Sequence, residues 1–127
     1  MRMQFQIEED AHYVRLICHG RYSLKAMLNL LDEALEIAAK KGQKAALVDI
    51  SDLKGTPPSL LERFELGKSF AEIQKSKEKI IAMVVVGQEP MIDRQRFGEV
   101  VATNRGAVGK VFTVHDEAVA WLESKVK

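Results

Sequence analysis

The 127-residue sequence holds one cysteine, Cys18, which excludes an internal disulfide and a thiolate metal cluster alike. Charge of one sign is also missing. Nineteen Lys and Arg stand against eighteen Asp and Glu, a net charge of +1, and no block of like charge is long enough to serve as a footprint for nucleic acid. The longest apolar runs, 80–86 and the stretch around Leu47, fall far short of the roughly 20 residues that span a bilayer. The start, Met1-Arg2-Met3-Gln4-Phe5-Gln6, alternates with polar residues at once and lacks the apolar core of a signal peptide, so a cytoplasmic address is expected. No G-x-G-x-x-G spacing occurs. Gly67-Lys68-Ser69 resembles the tail of a phosphate-binding loop, but the glycine required five residues earlier is Glu62, and the tripeptide lies inside a helical pattern. No nucleotide cofactor is therefore expected.

What remains is an average globular composition, 46% hydrophobic and 29% charged, suited to a single domain over residues 1–127. Met3, Phe5 and Ile7 alternate with polar residues, and after Glu8-Glu9-Asp10-Ala11 so do Val14, Leu16 and Cys18, which predicts a hairpin. Ser23 is placed to cap a helix with apolar positions at Leu24, Met27, Leu28, Leu31, Ala34, Leu35 and Ala38, closed by Gly42. Ala45 to Val48, continued by Ile50, is a short apolar run suited to a central strand buried on both faces. A polar loop of Ser51, Asp52, Lys54, Gly55 and Thr56 is expected after it, and Ser59-Leu60-Leu61-Glu62 then has the spacing of a capping box. Leu60, Leu61, Phe64, Leu66, Phe70, Ala71 and Ile73 predict a helix buried over a wide arc, with Gly67 permitting close contact. Lys75 to Lys79 reads as a solvated turn, and 80–86 as a second fully apolar strand. Asp93 can cap a third helix that Gly106 stops, and 108–114 forms a shorter strand before a last helix carrying Ala118, Trp121 and Leu122. Two apolar strands joined through a helix require a parallel crossover of right hand. The fold class is α/β: a mixed five-stranded sheet with four helices, an antiparallel edge hairpin followed by right-handed βα units.

Candidate chemistry is sparse. His12 and His19 are an odd number of positions apart on one strand and face opposite sides, so no metal site is expected there, and His115 with Asp116 and Glu117 reads as a helix-start cluster. Cys18 shares a face with Val14 and Leu16 and reads as a buried, inert thiol. An ionised Asp49 inside an apolar strand requires a hydrogen-bond partner, which makes it either an acceptor tying down the following loop or a ligand group. Arg21, Tyr22, Ser23, Gln88, Glu89 and Thr113 follow strands that can run parallel to the central one, and together they would form a small polar pocket. Arg94, Arg96 and Arg105 on the third helix are a candidate anion site or solvated surface.

Four segments carry a resemblance: 47–57 (Leu47-Val48-Asp49-Ile50-Ser51-Asp52-Leu53-Lys54-Gly55-Thr56-Pro57), 64–68, 96–106, and Val111-Phe112-Thr113 with 117–122. In that order they resemble the small bacterial SpoIIAA-like family, grouped with STAS domains (sulfate transporter and anti-sigma factor antagonist) and more distantly with the lipid-binding Sec14 type. The resemblance implies a SpoIIAA/STAS-like α/β module without catalysis, read by a regulatory protein. In related switches a serine or threonine in the loop after the central strand is phosphorylated. By position Thr56 is the nearest match, with Ser51 and Ser59 behind it. Those switches carry an Asp-Ser-Ser-Gly type sequence, whereas this chain has Asp52-Leu53-Lys54-Gly55-Thr56-Pro57.

The leading expectation is thus a non-catalytic regulatory or protein-interaction module, with Asp49, Ser51, Asp52, Lys54, Gly55, Thr56 and Ser59 as its partner- or ligand-binding residues and Thr56 as the modified one. The alternative is a carrier of a small ligand, a lipid or an anion, using the apolar helix around Phe64, Leu66, Phe70 and Ile73. An enzyme built on Asp49 ranks last, because no nucleophile and base pair is visible. A homodimer is also plausible, with Met3, Tyr13 and Ile17 supplying an apolar contact.

Overall fold

Each strand of the chain pairs with the one before it, so the sheet is laid down in sequence order. The computed structural model describes residues 2–126. Strands β1 (Gln4–Glu9) and β2 (Val14–Arg21) form the antiparallel hairpin, and β3 (Ala45–Lys54), β4 (Ala82–Val86) and β5 (Gly109–Phe112) follow β2 in parallel. The order is β1-β2-β3-β4-β5, which places β3 at the centre. Helices α1 (Leu24–Lys40), α2 (Leu60–Lys75) and α3 (Phe97–Asn104) are the crossovers, and α4 (His115–Val126) ends the chain. The fold is the mixed five-stranded, four-helix arrangement expected from the residues.

Crossovers of one hand that always step in the same direction must lie on one face of the sheet. The packing shows this. Val14, Leu16, Cys18, Ala46, Val48 and Met83 meet residues of α1, α2 and α3, whereas Leu47, Val84, Val86 and Phe112 meet Ala118 and Leu122 of α4 on the other face. Three helices therefore crowd one face and one helix serves the other. The crowding is relieved at Gly67, where an added Cβ would come within 2.3 Å of the Gly98 carbonyl oxygen and 2.9 Å of Val101. Only hydrogen at that position lets α2 and α3 touch backbone to backbone.

Local signals act where the residues place them. The Ser23 hydroxyl accepts from the Ala26 amide, and α1 closes with Gly42 at φ +70°, the Gly42 and Gln43 amides donating to Ala39 and Ala38. At α2 the Ser59 hydroxyl accepts from the Glu62 amide at 3.1 Å while the Glu62 carboxylate accepts from the Ser59 amide at 3.2 Å. Asp93 caps α3 from a turn away, its carboxylate accepting from the Phe97 amide at 3.0 Å.

Several expectations are corrected. Ser51, Asp52 and Lys54 are not loop residues: β3 continues to Lys54, because β2 offers backbone partners as far as Arg21. A bulge permits it. Ile17 pairs with Asp49 but His19 with Asp52, so one extra residue enters β3 and both Ile50 and Leu53 reach the helical face. Leu60 and Leu61 are 69% and 77% exposed, since the buried stripe of α2 is Gly67, Phe70, Ala71 and Gln74 and its first turn stands clear of the core. Ile80 precedes β4 and is exposed. Lys77 is tied down as well: its ammonium bridges Asp32 and Glu36 of α1 at 2.6 and 2.5 Å. The apolar dimer contact does not assemble, because Tyr13 is buried in the α4 core and Met3 packs against the opposite one.

Candidate functional site

The carboxyl ends of β2, β3 and β4 and the start of α2 meet at one rim of the sheet. Asp49 follows Ala45 and Leu47 on the α4 face, where the apolar run ends, and its carboxylate accepts from the Ser51 amide at 3.0 Å. That bond closes a short side-chain turn at the bulge and leaves the acid half-buried but satisfied. Ser51, Asp52 and Lys54 are exposed along the strand extension, beyond the last β4 residue, Val86, which pairs with Asp49. Gly55 turns the chain at φ +97° with the Arg21 side chain against it, so close that an added Cβ would stand 2.7 Å from Arg21 Cγ. Thr56 then projects into solvent, and Ser59, Leu60 and Leu61 are exposed beyond the two prolines. Ser51, Asp52, Lys54, Thr56 and Ser59 are thus exposed between the end of β3 and the start of α2, with two leucines that no periodicity argument would have left outside.

The residues of the expected polar pocket are only partly brought together among the described residues. Its members are used in separate local bonds: the Tyr22 hydroxyl donates to Glu62 at 3.3 Å, and the Gln88 amide donates to the Thr113 carbonyl at 3.1 Å. Tyr22 and Ser59 therefore share Glu62, which ties the end of β2 to the cap of α2. Burial first, and the Glu62 charge and hydrogen bond after it, raise the Tyr22 phenol well above its ordinary range. Of the three arginines of the expected anion site, Arg94 and Arg96 precede α3 and Arg105 follows it. Arg105 lies over the Phe64 ring at 5.3 Å and donates to the Val101 carbonyl, Arg94 is exposed, and Arg96 sits at the other end of α3.

A cavity that sequence reasoning missed lies deeper, between the crowded helices and the sheet. Its volume is about 130 Å³. Met27, Leu31, Ile50, Phe70 and Met83 make its buried wall, and partly exposed residues of α2, the β4–α3 connection and α3 make its mouth. Pro58 lines it too, so the cavity adjoins the rim. The signal for it was faint: Met27 and Met83 read as ordinary helix and strand core, and only the seating of three helices on one face brings them to one place. No group of side chains that could hold a metal ion occurs among the described residues, and no described helix is long and apolar enough to cross a membrane.

Comparison with known proteins adds the fold. No family model and no curated protein matches the sequence. Among solved structures, the chain is similar to an anti-sigma factor antagonist from Mycobacterium paratuberculosis at 14% identity, covering 96% of this chain and 95% of that one with a TM-score of 0.60. It is also similar to the anti-sigma factor antagonist SpoIIAA in its unphosphorylated form, at 12% identity over 98% and 100% of the two chains with a TM-score of 0.52. The fold is SpoIIAA/STAS-like.

Proposed function

We propose that this protein is a non-catalytic regulatory module of the STAS type that docks a regulatory protein through the β3–α2 rim, with Thr56 as the position where modification changes docking. One observation carries the reading: Leu60 and Leu61, two large apolar side chains, stand in solvent beside an exposed hydroxyl at Thr56. The two solved structures named above, both anti-sigma factor antagonists, support it. Thr56 is the best-suited hydroxyl because among the described residues it holds no side-chain hydrogen bond that a phosphate would break, whereas Ser59 caps α2 and a phosphate there would face Glu62. Ser51 lies on the strand extension, farther from the leucines. The reading calls for no catalytic group, consistent with a Cys18 thiol sealed in the core and an Asp49 carboxylate engaged by its own strand. The protein would work in the cytoplasm, as a monomer or paired through a surface other than the one built on Tyr13.

Affinity capture from the source cell tests this with three baits: wild type, the double variant Leu60→Asp/Leu61→Asp, and Thr56→Glu. Both leucines are exposed and acids suit a helix start, so the double variant should keep the wild-type melting temperature within a few degrees. It should lose the wild-type partner, and Thr56→Glu should change the partner set. Identical sets for all three baits would overturn the reading. The lipid-carrier alternative meets a size limit, since a cavity of about 130 Å³ is well below the roughly 300–1,000 Å³ of drug-sized ligand sites.

A further inference from the structure

We infer that the cavity beneath α2 and α3 binds a small monocarboxylate with an apolar tail of about five or six carbons, its carboxylate held by Arg96. The inference goes beyond the docking surface and does not depend on it.

Size and lining set the tail. An apolar cavity of roughly 150 Å³ stays dry and accepts a six-carbon ring, and the cavity here, at about 130 Å³ with Leu31, Ile50, Phe70 and Met83 in its wall, is comparable. Water finds few partners in such a wall. A tail of the right length gains dispersion contacts that an empty cavity forfeits.

The charge at the mouth sets the head group. Arg63, Asp93, Arg96 and Glu99 all line the cavity. Three of them are committed. The Arg63 guanidinium donates to the Met91 and Pro90 carbonyls at 2.8 and 2.9 Å and pairs with Asp93 at 3.4 Å, while Asp93 also accepts from the Phe97 amide. Glu99 accepts from the Val111 amide at 2.7 Å. Lys110, also at the cavity, directs its ammonium over the Phe112 ring at 6.0 Å, a ring that packs on the α4 face. Arg96 remains. It is half-buried, it forms no ion pair among the described residues, and its backbone is held in the left-handed region at φ 52° with no side-chain cap bond. A non-glycine residue in that region is uncommon and is retained where the surroundings demand it. An uncommitted planar cation beside an apolar cavity is suited to a carboxylate, which it can engage through two parallel bonds.

Titration of the full chain followed by ¹H–¹⁵N NMR tests this, with hexanoate, 1-hexanol and acetate as probes. Hexanoate should shift the amides of Ile50, Phe70 and Met83 saturably, acetate should not, and 1-hexanol should bind about tenfold more weakly than hexanoate. In Arg96→Asn, a residue that tolerates the left-handed backbone, hexanoate should weaken about tenfold while 1-hexanol is unchanged. No saturable shift with hexanoate would overturn the site. Equal binding of hexanoate and 1-hexanol by the wild type would overturn the carboxylate assignment, even if Arg96→Asn did not fold. Either failure would leave the rim reading standing, because the bait experiment does not involve the cavity.

Discussion

The Cys18 thiol is closed into the core, where burial first and the Asp49 charge second push its pKa up to about 12 from an ordinary 9.0. The phenols of Tyr13 and Tyr22 are raised as well, each chiefly by burial. A group whose pKa is higher in the folded chain stabilises that chain fully below its unfolded value. Between about pH 9 and 12 the unfolded chain therefore holds fewer protons than the folded one, and stability should fall as pH rises. Urea midpoints measured at intervals across that range should decline for wild type, and the decline should begin later in Cys18→Ala. An unchanged onset would show that the thiol titrates freely. Gln74 is a different kind of buried group, 3% exposed at the end of α2. Its side chain donates to the Ile81 and Val108 carbonyls at 2.8 and 2.9 Å and accepts from the Val108 amide at 2.8 Å, which joins the chain just before β4 to the chain just before β5. Gln74→Leu would keep the volume and orphan the Ile81 carbonyl and the Val108 amide, while the Val108 carbonyl keeps the Met83 amide, at a cost of about 3 kcal/mol in chemical denaturation. A loss below about 1 kcal/mol would mean that water replaces the amide. In the sequence Gln74 was only a polar residue near a turn, because its partners lie across strands whose adjacency no local pattern reveals.

Between elements, the contact of α2 with α3 is decided by Gly67. In an exposed helix Gly67→Ala would stabilise by about 1 kcal/mol, but here the methyl meets the Gly98 carbonyl and Val101. The expected net result is a loss of about 2 kcal/mol and a separation of the two helices, read as a lower urea midpoint and broadened NMR signals from α3. A gain in stability would sink the close-packing account. Gly67 was legible in advance as a point of close approach, though its partner helix was not. Helix caps at Ser23 and Ser59 were legible for the same reason, since capping is settled within four residues. The end of β3 was not legible. Its bulge breaks the two-residue period, so that Ile50 and Leu53, an odd number of positions apart, share a face and the polar residues between them imitate a loop. The leucines of α2 misled in the opposite way: an apolar count cannot tell a helix that lies wholly on the core from one whose first turn overhangs it.

At the scale of the molecule, connection rules predicted the mixed sheet and its parallel crossovers, and the central position of β3 followed from its apolar run. Ser51, Asp52, Lys54, Thr56 and Ser59 are all exposed, but the first three belong to the extension of β3 and not to the loop the polar run suggested. The cavity was beyond reach of the sequence, because it is a property of three helices seated together and no single segment encodes it. The order of the strands has a further consequence. Every strand finds its neighbour in the segment made just before it, so a chain emerging from the ribosome can add each βα unit to a template already present. Synthesis and assembly share one direction, and a nascent chain paused after β3 already exposes the edge onto which the remaining half will be laid.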